Sequence, residues 1–276
     1  WRGEPGTKDE PQHKKQGEVT IALLEAMGIP YIILSSDEAE ASLQIKNAIE
    51  STRAQSSPYA IIVRKGTFGK YKLSGKPHNN YTLSREQALK MVINSLSEHD
   101  ITVSTTGKLS RELFEYREEK QHGHERDFLT VGSMGHSSSI ALGIALENKK
   151  GNVYCLDGDG AFIMHMGSLS NVGAISPSNL RRIVFNNGAH ESVGGQPTLG
   201  FVIDIPNIAK GCGYSRTFVA TDKDSLSLAL RELKDANCTA LLEIKVRMGS
   251  RDDLGRPTTT PVENKNAYME FLKQQE

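Results

Sequence analysis

The sequence has no excess charge of either sign. Its 33 lysines and arginines balance 33 aspartates and glutamates, which leaves no electrostatic case for binding nucleic acid or an anionic membrane surface. It has no apolar run near the length of a membrane span and no visible signal peptide, so a cytoplasmic protein is expected. Cysteine is scarce: Cys155, Cys212 and Cys238 lie far apart, two of them in apolar runs. Buried free thiols in a reducing compartment are therefore expected, not a disulfide or metal framework. The chain also lacks an initiating methionine, and Trp1 opens a polar, turn-rich stretch that reads as a cut into the middle of a longer protein. What is present is 276 residues with 37% apolar content, enough for one large or two modest domains of an ordinary α/β protein.

The most informative stretch runs from Leu156 to Thr198. An apolar run over 153–156 leads into Asp157-Gly158-Asp159-Gly160-Ala161-Phe162, and a second run over 182–185 leads into Asn186-Asn187-Gly188-Ala189-His190. The interval from Asp159 to Asn187 holds one helix, starting near Phe162, and its return. The segment thus reads as strand, turn, helix, strand. A right-handed crossover places both polar ends at the carboxyl edge of a parallel sheet, where open α/β sheets bind ligands. A carboxylate, a side-chain amide oxygen and a backbone carbonyl are hard donors that suit Mg²⁺ or Ca²⁺ and not zinc. Mg²⁺ takes few protein ligands and completes its shell with phosphate oxygens, so the metal implies a phosphorylated partner. Gly158 and Gly160 let backbone N–H groups approach a diphosphate, toward which the helix also points its positive end. Either tripeptide alone is common turn chemistry; the pair, each closing an apolar run, is a stronger signal.

At these residues the chain resembles the thiamine diphosphate-dependent enzymes, whose cofactor motif opens with Gly-Asp-Gly and closes with Asn-Asn about this far downstream. The resemblance implies that Asp159 and Asn187 are side-chain Mg²⁺ ligands and that the Ala189 carbonyl is a third. It is closer in Gly132-Ser133-Met134-Gly135-His136, in Gly123-His124-Glu125-Arg126-Asp127-Phe128, and in Asn187-Gly188-Ala189-His190 continuing through Ser192-Val193-Gly194-Gly195-Gln196-Pro197-Thr198. These resemble the branch of 2-oxo acid decarboxylases that acts on phosphonopyruvate, with the sulfopyruvate decarboxylases as near relatives, over essentially the whole chain.

The fold so implied is the thiamine diphosphate-binding fold, an α/β architecture of doubly wound parallel sheets with helices on both faces. Residues 1–72 correspond to the C-terminal part of a pyrimidine-binding domain, 73–84 to a linker, and 85–276 to a complete diphosphate- and Mg²⁺-binding domain. The cofactor-binding residues implied are Thr105, Thr106, Gly132, Ser133, Met134, Gly158, Asp159, Gly160, Ala161, Asn187 and Ala189. Met134 would prop the cofactor in its bent form, its bland alternative being core filler, and the Gly132 carbonyl would accept from the aminopyrimidine. Thr105-Thr106-Gly107 would contact the diphosphate, although alone it is an ordinary turn. His13, His136 and His190 are candidates to meet the substrate, against a merely structural hydrogen bond for each. Glu191 adjoins His190 and is a candidate to orient it.

The implied reaction is decarboxylation of 3-phosphonopyruvate to phosphonoacetaldehyde and CO₂. Sulfopyruvate is the alternative substrate, because sulfonate and phosphonate are both tetrahedral anions. A non-catalytic cofactor-binding subunit is the alternative from another class: the family's activating glutamate belongs to the amino-terminal domain, and none can be assigned here. Because the family builds its site between subunits, a homo-oligomer is implied.

Along the chain, residues 16–27 have helical spacing with Gly28 as C-cap, 31–34 form a strand, 38 to about 53 a helix capped by Ser36 or Asp37, and 59–63 a buried-type strand. Residues 65–84, including Gly75-Lys76-Pro77-His78-Asn79-Asn80, read as linker, and Lys65, Lys70, Lys72 and Lys76 as a solvated face. Ser84 with Gln87 forms a capping box for a helix to about 97. A strand over 101–104 and a charged helix over 110–120 follow, then a loop in which His122 and His124, with His136, lack any zinc-like spacing. A small-residue helix occupies 137–146. Beyond the metal motif, 192–199 is an irregular loop and candidate lid. A short helix (208–212), a strand (218–220), a helix (224–235, capped by Asp222 or Asp224), a last strand (239–246), a basic Pro-rich surface tail (248–261) and a final helix from near 262 complete the reading.

Overall fold

Helix and strand alternate along most of the described residues, as the apolar periodicity requires. The computed structural model describes residues 1–71, 79–148 and 150–274, and the chain divides into two units, Trp1–Ser74 and Gly75–Glu276.

In the first unit, α1 (Pro11–Ala26), β1 (Tyr31–Ile33), α2 (Glu38–Gln55) and β2 (Ala60–Ile62) form two helices and a two-stranded parallel ladder. Helix α1 starts earlier than its apolar spacing suggests because Pro11 opens it, with φ already helical and no N–H to satisfy. Asp37, not Ser36, caps α2, its side chain accepting from the Glu40 N–H. Gly17 allows α1 to meet the amino-terminal turn: a Cβ there would lie 1.9 Å from the Gly3 carbonyl oxygen.

The second unit runs α3 (Arg85–Ser95), β3 (Ile101–Ser104), α4 (Lys108–Glu119), β4 (Asp127–Leu129), α5 (Ser137–Glu147), β5 (Val153–Gly158), α6 (Asp159–Met164), α7 (Ser168–Ile175), β6 (Leu180–Asn186), β7 (Ala189–His190), β8 (Gln196–Pro197), α8 (Ile205–Gly211), β9 (Arg216–Ala220), α9 (Lys223–Lys234), β10 (Ala240–Lys245) and α10 (Pro261–Gln274). Six strands form one sheet in the order β4-β3-β5-β6-β10-β9, every pair parallel. Successive side chains of β5 point to opposite faces. Tyr154 and Leu156 join Leu89, Leu113 and Leu230 on one side, while Val153 and Cys155 join Ala141, Leu169 and Val172 on the other. Both faces are thus covered by helices, which is why the strand reads as an unbroken apolar run.

The chain leaves β3 outward to β4 and returns to the other side of β3 as β5. The gap between the carboxyl ends of β3 and β5 is the topological switch point, where such sheets take ligands.

The structure differs from the sequence reading in several places. The helix expected from Phe162 begins at Asp159 and breaks before α7. Edge strand β4 is too short to show a period and falls at the end of the histidine-rich segment. Helix α8 starts ahead of its expected position because Asp204 caps it, accepting from the Asn207 N–H at 3.1 Å. The loop expected over 192–199 carries structure: β7 and β8 pair antiparallel around a 3₁₀ turn, Glu191–Val193. Residues 73–78 of the expected linker, with Lys72 and Lys76, lie outside the described residues; from Asn79, whose side chain donates to the Val246 carbonyl at 3.2 Å, the chain is anchored to the second unit. The three cysteines are free, but only Cys155 is fully buried; Cys212 and Cys238 are half-buried.

Candidate active site

Three strand ends build an open cleft with a cavity volume of about 120 Å³. Thr105, Thr106, Met134, Gly158, Asp159, Gly160, Ala161, Asn187, Ala189 and His190 all line it, although they come from distant parts of the sequence.

After β3, the Thr105 N–H donates to the Leu156 carbonyl at 2.8 Å, continuing the β3–β5 ladder into the turn. Gly107 then takes φ +115° and starts α4; a Cβ there would lie 2.6 Å from Ser192 Oγ. The Thr105 hydroxyl is buried in the cleft wall and has no hydrogen-bond partner among the described residues. A buried donor left unpaired costs about 1 to 3 kcal/mol, so it marks a place where a ligand oxygen fits.

At the end of β5, Asp159 is 1% exposed. Its carboxylate accepts from the Thr198 hydroxyl and from the Asn187 N–H. Burial raises its pKa above the usual carboxylate range, and those hydrogen bonds and the nearby His190 only partly offset this.

The two asparagines at the end of β6 do different work. Asn186 turns inward, donating to the Gly200 carbonyl and to Glu243 Oε1, each at 2.7 Å, and accepting from the Gly188 N–H at 3.1 Å. Asn187 turns to the cleft, where its side-chain oxygen accepts the Ala189 N–H at 3.1 Å. Gly188, at φ +70°, makes the turn possible, since a Cβ would lie 2.5 Å from the Phe201 ring.

Met134 reaches the cleft from a strained loop. Gly132, Ser133 and Gly135 all have positive φ (+72°, +41° and +93°), and a Cβ on Gly135 would lie 2.8 Å from the Ala161 carbonyl oxygen. Gly132 and Ser133 shape this bend and do not themselves line the cleft.

The histidines separate. His190 lines the cleft, and Gly160 leaves room for its ring: a Cβ there would lie 2.6 Å from Nδ1. His136 is exposed outside the cleft lining, its Nδ1 3.2 Å from the Ser133 carbonyl oxygen and its ring 4.3 Å from that of His165. His13 belongs to the first unit, where its Nδ1 lies 2.9 Å from both Asp9 Oδ1 and Arg2 Nη2. His124 stacks on Phe114 at 3.9 Å and meets Glu118 at 2.5 Å, a structural role. Among the described residues no cluster of three His, Cys, Asp or Glu could hold a metal.

Several lining residues were not legible in the sequence. Arg85 sits at the first position of α3, where a charged residue reads as solvated, yet it is buried. Its guanidinium donates bidentately to Glu112 at 2.8 and 2.7 Å and also pairs with Glu191. Burial works against the Arg85 charge, but the two carboxylates outweigh it and raise its pKa. Glu191 therefore serves Arg85 and the Gly249 N–H, not the orientation of His190. The tail expected as surface structure docks on this cleft's own rim: Lys108 donates to Ser250 Oγ at 2.7 Å, and Arg251 pairs with Glu86 and Glu115.

The donor set fits a divalent cation with a diphosphate. Asp159, the Asn187 amide oxygen and the Ala189 carbonyl are hard oxygens, the buried carboxylate faces no Lys or Arg within ion-pair distance among the described residues, and the unpaired Thr105 hydroxyl lines the same cleft.

Residues 105–244 match the family described as thiamine pyrophosphate enzyme, C-terminal TPP binding domain, and the chain belongs to the thiamine pyrophosphate enzymes. Within that class the relatives it matches over most of its length are decarboxylases. The chain is 34% identical to phosphonopyruvate decarboxylase of Streptomyces viridochromogenes, over 99% of this chain and 71% of that one. It is 32% identical to the same-named protein of Streptomyces hygroscopicus, over 98% and 70%. It is 31% identical to sulfopyruvate decarboxylase subunit beta of Methanocaldococcus jannaschii, over 68% of this chain and 97% of that subunit. The chain is a carboxy-lyase of this group.

Proposed function

We propose that the protein decarboxylates 3-phosphonopyruvate to phosphonoacetaldehyde and CO₂, using thiamine diphosphate with Mg²⁺. The observation that carries the site is the convergence of buried Asp159, cleft-facing Asn187 and the unpartnered Thr105 hydroxyl at the switch point of the sheet. The substrate follows from the likeness to phosphonopyruvate decarboxylases across nearly the whole chain.

In this reading Asp159, Asn187 and the Ala189 carbonyl hold Mg²⁺. Thr105, Thr106 and the backbone at Gly158 and Gly160 hold the diphosphate, helped by the amino terminus of α4. Thiamine diphosphate supplies the electron sink that takes up the pair left as CO₂ departs. Met134 holds the cofactor's shape, and the Gly132 carbonyl accepts from its aminopyrimidine. His190, packed against Gly160 at the cleft, meets the substrate, and the β7–β8 hairpin excludes water from it. His136 stands outside the cleft lining and His13 belongs to the first unit, and a substrate role for either is assigned to a site completed within a homo-oligomer. Among the described residues no helix is long and apolar enough to cross a membrane, and the cytoplasm is the proposed location.

Sulfopyruvate is the second reading, supported by the match to nearly the full length of the sulfopyruvate decarboxylase beta subunit. The test is CO₂ release from each 2-oxo acid by the full-length protein with thiamine diphosphate and Mg²⁺. The proposal expects preference for phosphonopyruvate and loss of activity by about 100-fold or more in Asp159→Ala. Preference for sulfopyruvate, or release unaffected by Asp159→Ala, sinks the substrate or the metal assignment respectively.

A further inference from the structure

Charge accounting in the cleft singles out one residue that neither the cofactor motif nor the relatives' names assign. Two lysine or arginine side chains line the cleft among the described residues, Arg85 and Lys108. Arg85 is committed: Glu112 accepts from its Nε and Nη2 in a bidentate pair and Glu191 accepts from its Nη1. Two carboxylates against one guanidinium leave that corner net negative. Lys108 is different. The residue is half-buried, and its ammonium has no carboxylate within ion-pair distance among the described residues and rests on a neutral hydroxyl, Ser250 Oγ, at 2.7 Å.

It lines the same cleft as Asp159 and Asn187 but sits among its outer segments. Asp159 and Asn187 lie on the floor, 1% and 4% exposed, while the neighbours of Lys108 are the rim segments: Ser192 beside Gly107, and Gly249 and Ser250 of the tail. The floor already holds the unpaired Thr105 hydroxyl and the hard-oxygen set for a diphosphate with its metal. An uncommitted ammonium at the rim is suited to an oxyanion that arrives later. Ammonium binds such groups as a point charge, and a charge-assisted hydrogen bond outcompetes one to a neutral hydroxyl.

We propose that Lys108 determines specificity by receiving the substrate's distal tetrahedral anion, releasing Ser250 as it does so. This rests on the substrate reading above. A phosphonate has a second ionisation near neutral pH and so carries on average more than one negative charge there, whereas a sulfonate carries one. A single unneutralised ammonium therefore favours the phosphonate. The same chemistry belongs to the cofactor's diphosphate, and the experiment separates the two.

The experiment uses the full-length protein loaded with thiamine diphosphate and Mg²⁺. Calorimetric titration with 3-phosphonopropionate, which has the distal anion and no reactive carbonyl, compares wild type with Lys108→Met and Lys108→Arg. Loss of a hydrogen bond to a charged group corresponds to on the order of 10- to 100-fold. Lys108→Met is expected to weaken 3-phosphonopropionate by that factor and to lower the ratio of kcat/KM for phosphonopyruvate over pyruvate similarly. Lys108→Arg recovers most of both. Separate titration of the cofactor-free protein with thiamine diphosphate shows a smaller change. Unchanged 3-phosphonopropionate affinity in Lys108→Met, or a wild type that does not bind it, overturns the proposal. So does an equal loss of thiamine diphosphate affinity, which would place Lys108 on the diphosphate. Binding through Lys108 without CO₂ release from phosphonopyruvate would leave this role standing and refute the substrate reading.

Discussion

Glu243 shows how a single buried residue supports the site without touching the cleft. It is 2% exposed on β10, and its Oε1 accepts the Asn186 side-chain N–H at 2.7 Å, which fixes the asparagine that precedes Asn187. Burial raises its pKa. The Asn186 hydrogen bond and the Lys245 charge pull the other way, while Asp204 and Asp159 add to the rise. A carboxyl whose pKa is raised in the folded state contributes stability when protonated and loses it as pH climbs through the folded value. Glu243→Gln keeps the acceptor and removes the charge. It is expected to stabilise the cofactor-free protein at pH 7 by about 1 kcal/mol. That gain should vanish below about pH 4, the ordinary glutamate range. Denaturant melts across pH check it; a gain that persists in acid would show that ionisation of Glu243 is not its source. At this scale sequence was a poor guide: the two adjacent carboxamides look equivalent until β10 supplies Glu243 to one of them.

Between elements, glycine permits close approach at several places, most tightly at Gly173. Gly173 in α7 lies so near the end of α8 that a Cβ would sit 1.7 Å from the Cys212 carbonyl oxygen, and Gly213, at φ +103°, bends the chain away. Backbone cannot yield as a flexible side chain does. Gly173→Ala is expected to destabilise the protein by about 1 to 3 kcal/mol through overpacking, despite alanine's better helix propensity. Thermal melting checks the sign, and an unchanged or higher Tm contradicts the packing argument. The capping box of α3, Ser84 with Gln87, was readable because it is local, whereas for α9 the structure selects Asp222, paired reciprocally with Ser225, over Asp224. The break between α6 and α7 was not readable, because apolar periodicity continues across it.

Across the whole molecule, ligand and fold are linked. A group that binds only the folded state stabilises it by about 2.7 kcal/mol at a hundred times its Kd. For a chain of this size that is a rise of roughly 5 to 10 °C in Tm. Thiamine diphosphate with Mg²⁺ is expected to produce it, and a chelator to remove most of it, if Asp159 and Asn187 hold the cation as proposed. Differential scanning calorimetry with and without chelator decides; a rise that survives chelation removes the metal from the site.

What the sequence determined by itself was whatever depends on near neighbours: the alternation of helix and strand, the doubly wound class, the capping residues, and a Gly-Asp-Gly and an Asn-Asn each placed at the end of a buried strand. These follow from periodicity and turn chemistry, which act over a few residues. Tertiary structure alone decided which side chains share the cleft. Arg85, Glu112, Glu191, Lys108 and the 249–251 segment come from four places far apart in the chain, and no local pattern distinguishes them from solvated charges. Their burial and pairing exist only because the sheet order brings β3, β5 and β6 side by side and the tail returns across their carboxyl ends. Charge is read from composition, but whether a charge is neutralised is a matter of distance.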